Sequence, residues 1–224
     1  MKKTKAVLVL TLLFTFIANT CCMAAMPTTP ATTPAAATQT TPAVPVATAP
    51  GETPAAPIVG YIFVGDSRLK GVDMYGGLSK NNPDIWSLSA VSRNYSYLNS
   101  KADKDITAIM TSNPQVTKWY EVYCLGVNDM GNLQKYIAWY KNRALAHNVI
   151  LTAVPPTKKC KRIPNSSIEA FNASLIGTGL PYLDLYTYLT GTGVQTGKDG
   201  IHYTNATCQT AAGYLAAAVR LLGK

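Results

Sequence analysis

The sequence predicts an α/β protein, a three-layer α/β/α sandwich built on a five-stranded parallel sheet. Five short apolar runs, rich in β-branched and aromatic residues, recur along residues 58–186. Segments with helical spacing separate them, and glycine, proline or aspartate punctuates the junctions. Alternation of this kind places helices on both faces of a parallel sheet.

The elements follow in order. IVGYIFV (58–64) reads as a buried strand running into GDSRLKGV, where Asp66 or Ser67 suits a helix cap. DIWSLSAV (84–91) is the second strand, and YSYLNSKADKDITAIMTSN (95–113) a helix that stops before Pro114. KWYEVYCLG (118–126) is the third strand. GNLQKYIAWYKNRALAH (131–147) is an amphipathic helix with Leu133, Ile137, Tyr140 and Leu145 near one face; His147 at its end suits the C-terminal dipole. NVILTAV (148–154) is the fourth strand, stopped by Pro155 and Pro156, and SSIEAFNASLIG (166–177) a helix ending on Gly177. LPYLDLY (180–186) is the fifth strand. TNATCQTAAGYLAAAVRLLG (204–223) closes the domain as a helix capped by Thr204 or Asn205.

The first 57 residues have a different character. MKKTKAVLVLTLLFTFIANTCCMAA carries a basic start at Lys2, Lys3 and Lys5 and an apolar stretch from Ala6 to Ala18. Small residues follow, suited to cleavage after Ala24 or Ala25. This is the pattern of a secretory signal peptide over 1–25. An uncleaved anchor and lipidation at Cys21 or Cys22 are the alternatives, although Ala18, Asn19 and Thr20 fit a lipobox poorly. In residues 26–57, 26 of 32 are Pro, Thr or Ala and Glu52 is the only charge. No apolar periodicity offsets the ordering entropy there, so a Pro/Thr/Ala-rich linker is expected. Fully extended, it reaches about 100 Å at about 3.1 Å per residue.

Residues 58–224 are enough for one domain with its own core. They carry 17 Lys and Arg against 10 Asp and Glu, a net charge of +7. That balance suits an anionic surface such as a cell-wall polymer. Nucleic acid is not expected as a partner, because the basic residues lack an aromatic-interleaved motif. Cys124, Cys160 and Cys208 remain after signal removal. Cys124 lies in an apolar run, whereas Cys160 and Cys208 lie in polar surroundings and are the candidate disulfide pair. Three unpaired thiols are the alternative. With two histidines in the chain, no structural metal site or other cofactor is expected.

In parallel α/β sheets ligands bind where the strands exit. After the first strand stands Gly65-Asp66-Ser67; after the third, Gly126-Val127-Asn128-Asp129; after the fifth, Asp199-Gly200-Ile201-His202. Serine, asparagine, aspartate and histidine thus converge on one rim, an inventory for acyl transfer. A serine at a helix start needs a base, and His202 is the candidate. Asp199, three residues earlier, can reach the imidazole Nδ1 and fix its tautomer. Asn128 can donate its amide to a developing oxyanion, as can the Ser67 N–H.

With these blocks in place, residues 58–224 resemble the SGNH (GDSL-like) hydrolase family, and the motifs carrying the resemblance are GDS, GVND and DGIH. VPPT at 154–157 and the closing helix resemble the secreted Gram-positive-type branch. The resemblance implies a flavodoxin-like architecture with Ser67 as nucleophile, His202 as base, Asp199 as its orienter and Asn128 as oxyanion donor. Arg68 stands where a leucine gives the family its other name. A glycine donor is expected after the second strand, but no glycine occurs from Leu78 to Leu125. Ser92 best replaces it, with Asn94 second. Ser67, Ser92 and Asn128 therefore make up the expected oxyanion hole, and Arg68, Asp129 and Tyr203 are assigned to substrate binding.

The function expected is a secreted or cell-surface serine esterase, a monomer, removing an acyl group such as acetyl from a carbohydrate or wall polymer. Trp86, Tyr95, Tyr97, Trp139 and Tyr203 could stack on sugars, though core packing is expected for most of them. A surface carbohydrate-binding module weakened in catalysis by the lost glycine, and a lipid esterase or thioesterase, are the alternatives.

Overall fold

A computed structural model describes residues 56–223. The signal peptide and nearly all of the linker expected over 1–57 lie outside the described residues. Five strands form one sheet in the order β2-β1-β3-β4-β5, and every pairing is parallel. They are β1 (Val59–Gly65), β2 (Ile85–Ser89), β3 (Lys118–Cys124), β4 (Asn148–Thr152) and β5 (Tyr182–Leu183). The helices are α1 (Ser67–Gly76), α2 (Tyr95–Ser100), α3 (Ala102–Ser112), α4 (Leu133–Arg143), α5 (Asn165–Ile176), α6 (Leu185–Thr192) and α7 (Asn205–Leu222).

The period of two along β1 sorts the core. Tyr61 and Phe63 face a layer that includes Leu69 and Val72 of α1, Leu185 and Leu189 of α6, and Leu215 and Val219 of α7. Ile62 and Val64 face the other layer, with Leu98, Ile106, Tyr136, Tyr140, Ile168 and Phe171 from α2 to α5. The three-layer sandwich is as expected.

Several boundaries differ. The predicted 95–113 helix breaks at Lys101, whose backbone leaves the helical region at φ −134°. The 131–147 segment opens as a short 3-10 turn over Met130–Asn132 and ends at Arg143. His147 lies beyond that helix and faces Glu121 at 3.0 Å rather than a helix dipole. The largest difference follows β4. The fifth strand spans only Tyr182–Leu183, and Asp184 then caps α6 by accepting from the Thr187 N–H at 3.0 Å. The exit of β5 is therefore a helix, and the Asp199–His202 block belongs to the α6–α7 connection.

Cys160 and Cys208 do not pair; all three thiols in the described residues are free. Cys208 points from α7 into the core and is 1% exposed, whereas Cys160 sits on the β4–α5 loop beside Gly200. Burial pushes the Cys124 thiol up to about 12 and that of Cys208 up to about 11, so neither is a ready nucleophile.

Candidate active site

The site begins with sheet register. Gly65 at the end of β1 is level with Ser89 of β2 and Cys124 of β3. Two residues further along each chain stand Ser67, Val91 and Gly126, so three neighbouring strand exits meet at one edge. A side chain at Gly65 would strike Leu69, so the strand runs into α1 without spacing. Asp66 takes the capping role: its carboxylate accepts from the Arg68 N–H at 2.8 Å. Asp66 is 2% exposed, and burial pushes its carboxyl up from the usual carboxylate range. Ser67 is thereby left as the first helical residue with its hydroxyl free of capping. Its N–H is among those with no intrahelical partner, at the positive end of the helix dipole.

The partner arrives from 135 residues away. His202 Nε2 lies 2.9 Å from Ser67 Oγ, and His202 Nδ1 lies 2.5 Å from Asp199 Oδ2. A carboxylate only accepts, so Nδ1 carries the proton and Nε2 is the acceptor that faces the serine. Asp199 Oδ1 also accepts from the backbone N–H groups of Ile201 at 2.9 Å and His202 at 3.1 Å. The imidazole hydrogen bond, helped by the Ile201 N–H, holds the Asp199 carboxyl low, at about 2.

This turn is docked rather than free. Gly200 has φ +72°, and a Cβ there would lie 2.3 Å from the Lys158 carbonyl oxygen. The Lys158 N–H donates to the Gly200 carbonyl at 2.9 Å, and the Gly197 N–H to the His202 carbonyl at 2.8 Å. The VPPT stretch after β4 is the platform. Asn172 of α5 clamps Val154 through both its N–H and its carbonyl, at 2.8 and 2.9 Å.

Two residues assigned to substrate binding are turned toward that platform. Arg68 is 4% exposed; its Nη1 donates to the Pro155 carbonyl at 2.7 Å, and the Tyr203 hydroxyl donates to the Pro156 carbonyl at 2.8 Å. They bind the loop after β4 to α1 and so position the site, while forming part of its wall. Asp129, the third, is likewise turned inward. It accepts from the Tyr95 N–H at 3.0 Å, from Asn132 at 3.1 Å and from the Tyr136 hydroxyl at 2.7 Å. It pins the start of α2 to the start of α4. No local pattern encodes this, because Tyr95 and Tyr136 lie on other elements.

Ser92 adopts φ +63°, the left-handed region that favours glycine. A serine thus holds there the backbone conformation for which a glycine was expected. Asn128 donates one amide hydrogen to the Arg93 carbonyl at 2.9 Å, and its second remains. Ser92 and Asn128 line one hollow, whereas Ser67 and His202 line the next with Met74, Tyr75 and Val91. Val91 and Ser92 are consecutive and join the two. The aromatic candidates are used in packing: Trp86 against Trp119, Tyr95 against Tyr136, Trp139 against Tyr123, and Tyr97 beneath Arg93. Among the described residues no three His, Cys, Asp or Glu side chains converge as metal ligands would.

No family model matches the chain, and no curated protein matches its sequence. Solved structures do match it in fold. The C-terminal catalytic domain of Streptococcus pneumoniae peptidoglycan O-acetyltransferase A superposes with a TM-score of 0.58 at 18% identity, over 74% of this chain and 95% of that one. A Slackia heliotrinireducens protein assigned to the SGNH hydrolases gives 0.53 at 14%, over 73% and 100%. A family 3 carbohydrate esterase from Talaromyces cellulolyticus gives 0.50 at 17%, over 73% and 97%. At these identities the likeness concerns the fold: the chain is similar to SGNH hydrolases in its five-stranded parallel sheet and flanking helices.

Proposed function

We propose that this chain, built on the fold of the SGNH hydrolases, is a serine esterase that removes an acyl group, acetyl foremost, from a carbohydrate or cell-wall polymer. The observation that carries the reading is the hydrogen-bonded relay from Ser67 through His202 to Asp199 at the carboxyl edge of the sheet. In the reaction Ser67 Oγ attacks the acyl carbonyl carbon while His202 Nε2 takes its proton. Asp199 stabilises the imidazolium that forms. Negative charge on the carbonyl oxygen meets the N–H groups of Ser67 and Ser92 and the free amide hydrogen of Asn128, each worth about 3–4 kcal/mol in such sites. Collapse returns the proton to the leaving alcohol. Water then repeats the steps on the acyl-serine, releasing the acid and restoring the hydroxyl.

The substrate class draws support from the neighbours, one a carbohydrate esterase and one a peptidoglycan O-acetyltransferase by their names. The location is part of the proposal too. A signal over 1–25 and a spacer over 26–57 would carry the domain outside the cell and hold it off a surface. The test is acetate release from p-nitrophenyl acetate and from a panel of acetylated glycans and wall preparations, with Ser67→Ala as control. Turnover lost in the variant supports the reading. Retention of a polymer without turnover of any ester by the wild-type protein would favour a binding module instead.

A further inference from the structure

Three arginines of the domain are paired with acids. Arg93, Arg143 and Arg220 each face a carboxylate: Asp105, then Glu121 with Asp103, then Asp84. Lys158, Lys159, Lys161 and Arg162 on the β4–α5 loop, and Lys198 before Asp199, are all exposed. Among the described residues none of these five forms a salt bridge, in a run of four cations within five residues. Like charges this close build a positive potential that draws anions to them.

Their placement follows the site. Arg162 shares a hollow of about 560 Å³ with the oxyanion candidates Ser92 and Asn128. Lys158, Lys159 and Lys198 line another of about 390 Å³ along the turn that carries Asp199. Lys159 and Lys161 line a third of about 320 Å³. None of the three is lined by an acidic side chain. The loop is also held in shape. Thr157 is fixed by Asn165 at 2.9 Å and by the Ile163 carbonyl at 2.8 Å, and Lys158 Nζ donates to the Val194 carbonyl at 3.2 Å. Lys159 sits at φ +59°, a conformation that costs a non-glycine residue energy and gathers at functional sites.

We propose that the β4–α5 loop and Lys198 form a cationic track that reads negative groups spaced along the acylated substrate. The substrate class is then a polyanionic acylated polymer, whose carboxylates or phosphodiesters seat on Arg162 on one side and on Lys158, Lys159 and Lys198 on the other. The ester meets Ser67 and His202, which line a separate hollow. This deepens the esterase reading and rests on it. A guanidinium suits either anion in bidentate fashion, and the lysines act as point charges.

The experiment uses the full chain, wild type and Lys161→Glu/Arg162→Glu, with circular dichroism to verify folding. Acetate release is measured on acetylated polygalacturonate, an acetylated phosphodiester polymer, neutral acetylated xylan and p-nitrophenyl acetate, at 20 and 300 mM NaCl. Wild-type kcat/KM on at least one anionic polymer is expected to fall about tenfold between the two salts, with little change on xylan, because screening acts on exposed charges. The variant should lower kcat/KM on that polymer about tenfold more than on p-nitrophenyl acetate. The preferred polyanion distinguishes carboxylate from phosphate. Equal losses on every substrate, or a rate on the polyanions indifferent to salt, overturn the track. Failure to hydrolyse any ester sinks the esterase reading separately. In that case retention of deacetylated polygalacturonate by the wild type, lost in the variant, supports the track, and no retention overturns it.

Discussion

At Ser67, the capping duty falls to Asp66 and the hydroxyl is free for His202. Ser67→Ala is therefore expected to cut ester hydrolysis at least about 10³-fold, as loss of a nucleophile does in related arrangements. Stability in denaturant unfolding should change by less than about 0.5 kcal/mol, the usual limit for a surface substitution. Wild-type turnover in that variant would remove Ser67 from the role. At Ser92 the backbone stands at φ +63°. Holding an L-residue there costs about 1–2 kcal/mol, and glycine avoids it while giving back about 0.4–1 kcal/mol of unfolded-state entropy. Ser92→Gly should therefore raise the melting temperature by about 1–4 °C in a domain of this size, and a fall in thermal melts would mean the serine side chain itself holds the turn. The Asp199 carboxyl, held at about 2, sets the sign of the acid response. An aspartate titrates near 3.9 when unfolded, so its contribution to stability is complete above that value and is lost as pH falls through about 2. Between pH 4 and 7 Asp199 stays ionised, so activity lost in that range does not come from protonation of this carboxylate. That loss should reverse fully when the enzyme is returned from pH 5 to 7.5; permanent inactivation would place the damage elsewhere.

At the scale of the element, the turn carrying Asp199 and His202 depends on the loop after β4 for its position. A methyl group at Gly200 would meet the Lys158 carbonyl at 2.3 Å. Gly200→Ala should therefore displace the imidazole and lower kcat/KM about 10–100-fold, the scale expected of a misplaced catalytic group. Gly213→Ala on α7, where an added Cβ meets nothing within 4 Å, is the matched control and should leave kinetics unchanged. The strand-exit motifs could be read from sequence because each lies within a few residues of a strongly apolar run. The start of α6 could not, because LPYLDLY has strand composition throughout, and only the contact of Asp184 with the Thr187 N–H ends the strand at Leu183. The inward roles of Arg68 and Tyr203 were hidden for a different reason. Arg68 bonds Pro155 across 87 residues of chain and Tyr203 bonds Pro156 across 47, and no local pattern encodes such partners. Cys208 looked polar from its neighbours in the chain, yet the helix turns it into the core.

At the scale of the whole molecule, the middle of β3 carries a buried charge. Glu121 is 1% exposed, and Arg143 binds both its oxygens at 2.8 Å, with the Tyr123 hydroxyl donating at 2.6 Å. Arg143→Met leaves that carboxylate short of its main partner and should cost about 3–5 kcal/mol in denaturant unfolding. A loss below about 1 kcal/mol would show that His147 alone suffices. The separation of Ser67 from His202, 135 residues, bears on the order of events in time. During synthesis at about 5–20 residues per second, Ser67 precedes His202 by on the order of 10 s. Throughout that interval the half-made chain displays a serine with the reactivity of an ordinary alcohol. Only when α7 settles against α1, with Arg220 reaching Asp84 and Gly223 receiving the Tyr120 hydroxyl, does His202 come within reach. The contact of Ser67 with His202 is thus expected to form with the final long-range closure. In refolding from denaturant, the appearance of esterase activity should keep time with the slowest phase seen by tyrosine fluorescence, so that turnover serves as a clock for the docking of the last helix.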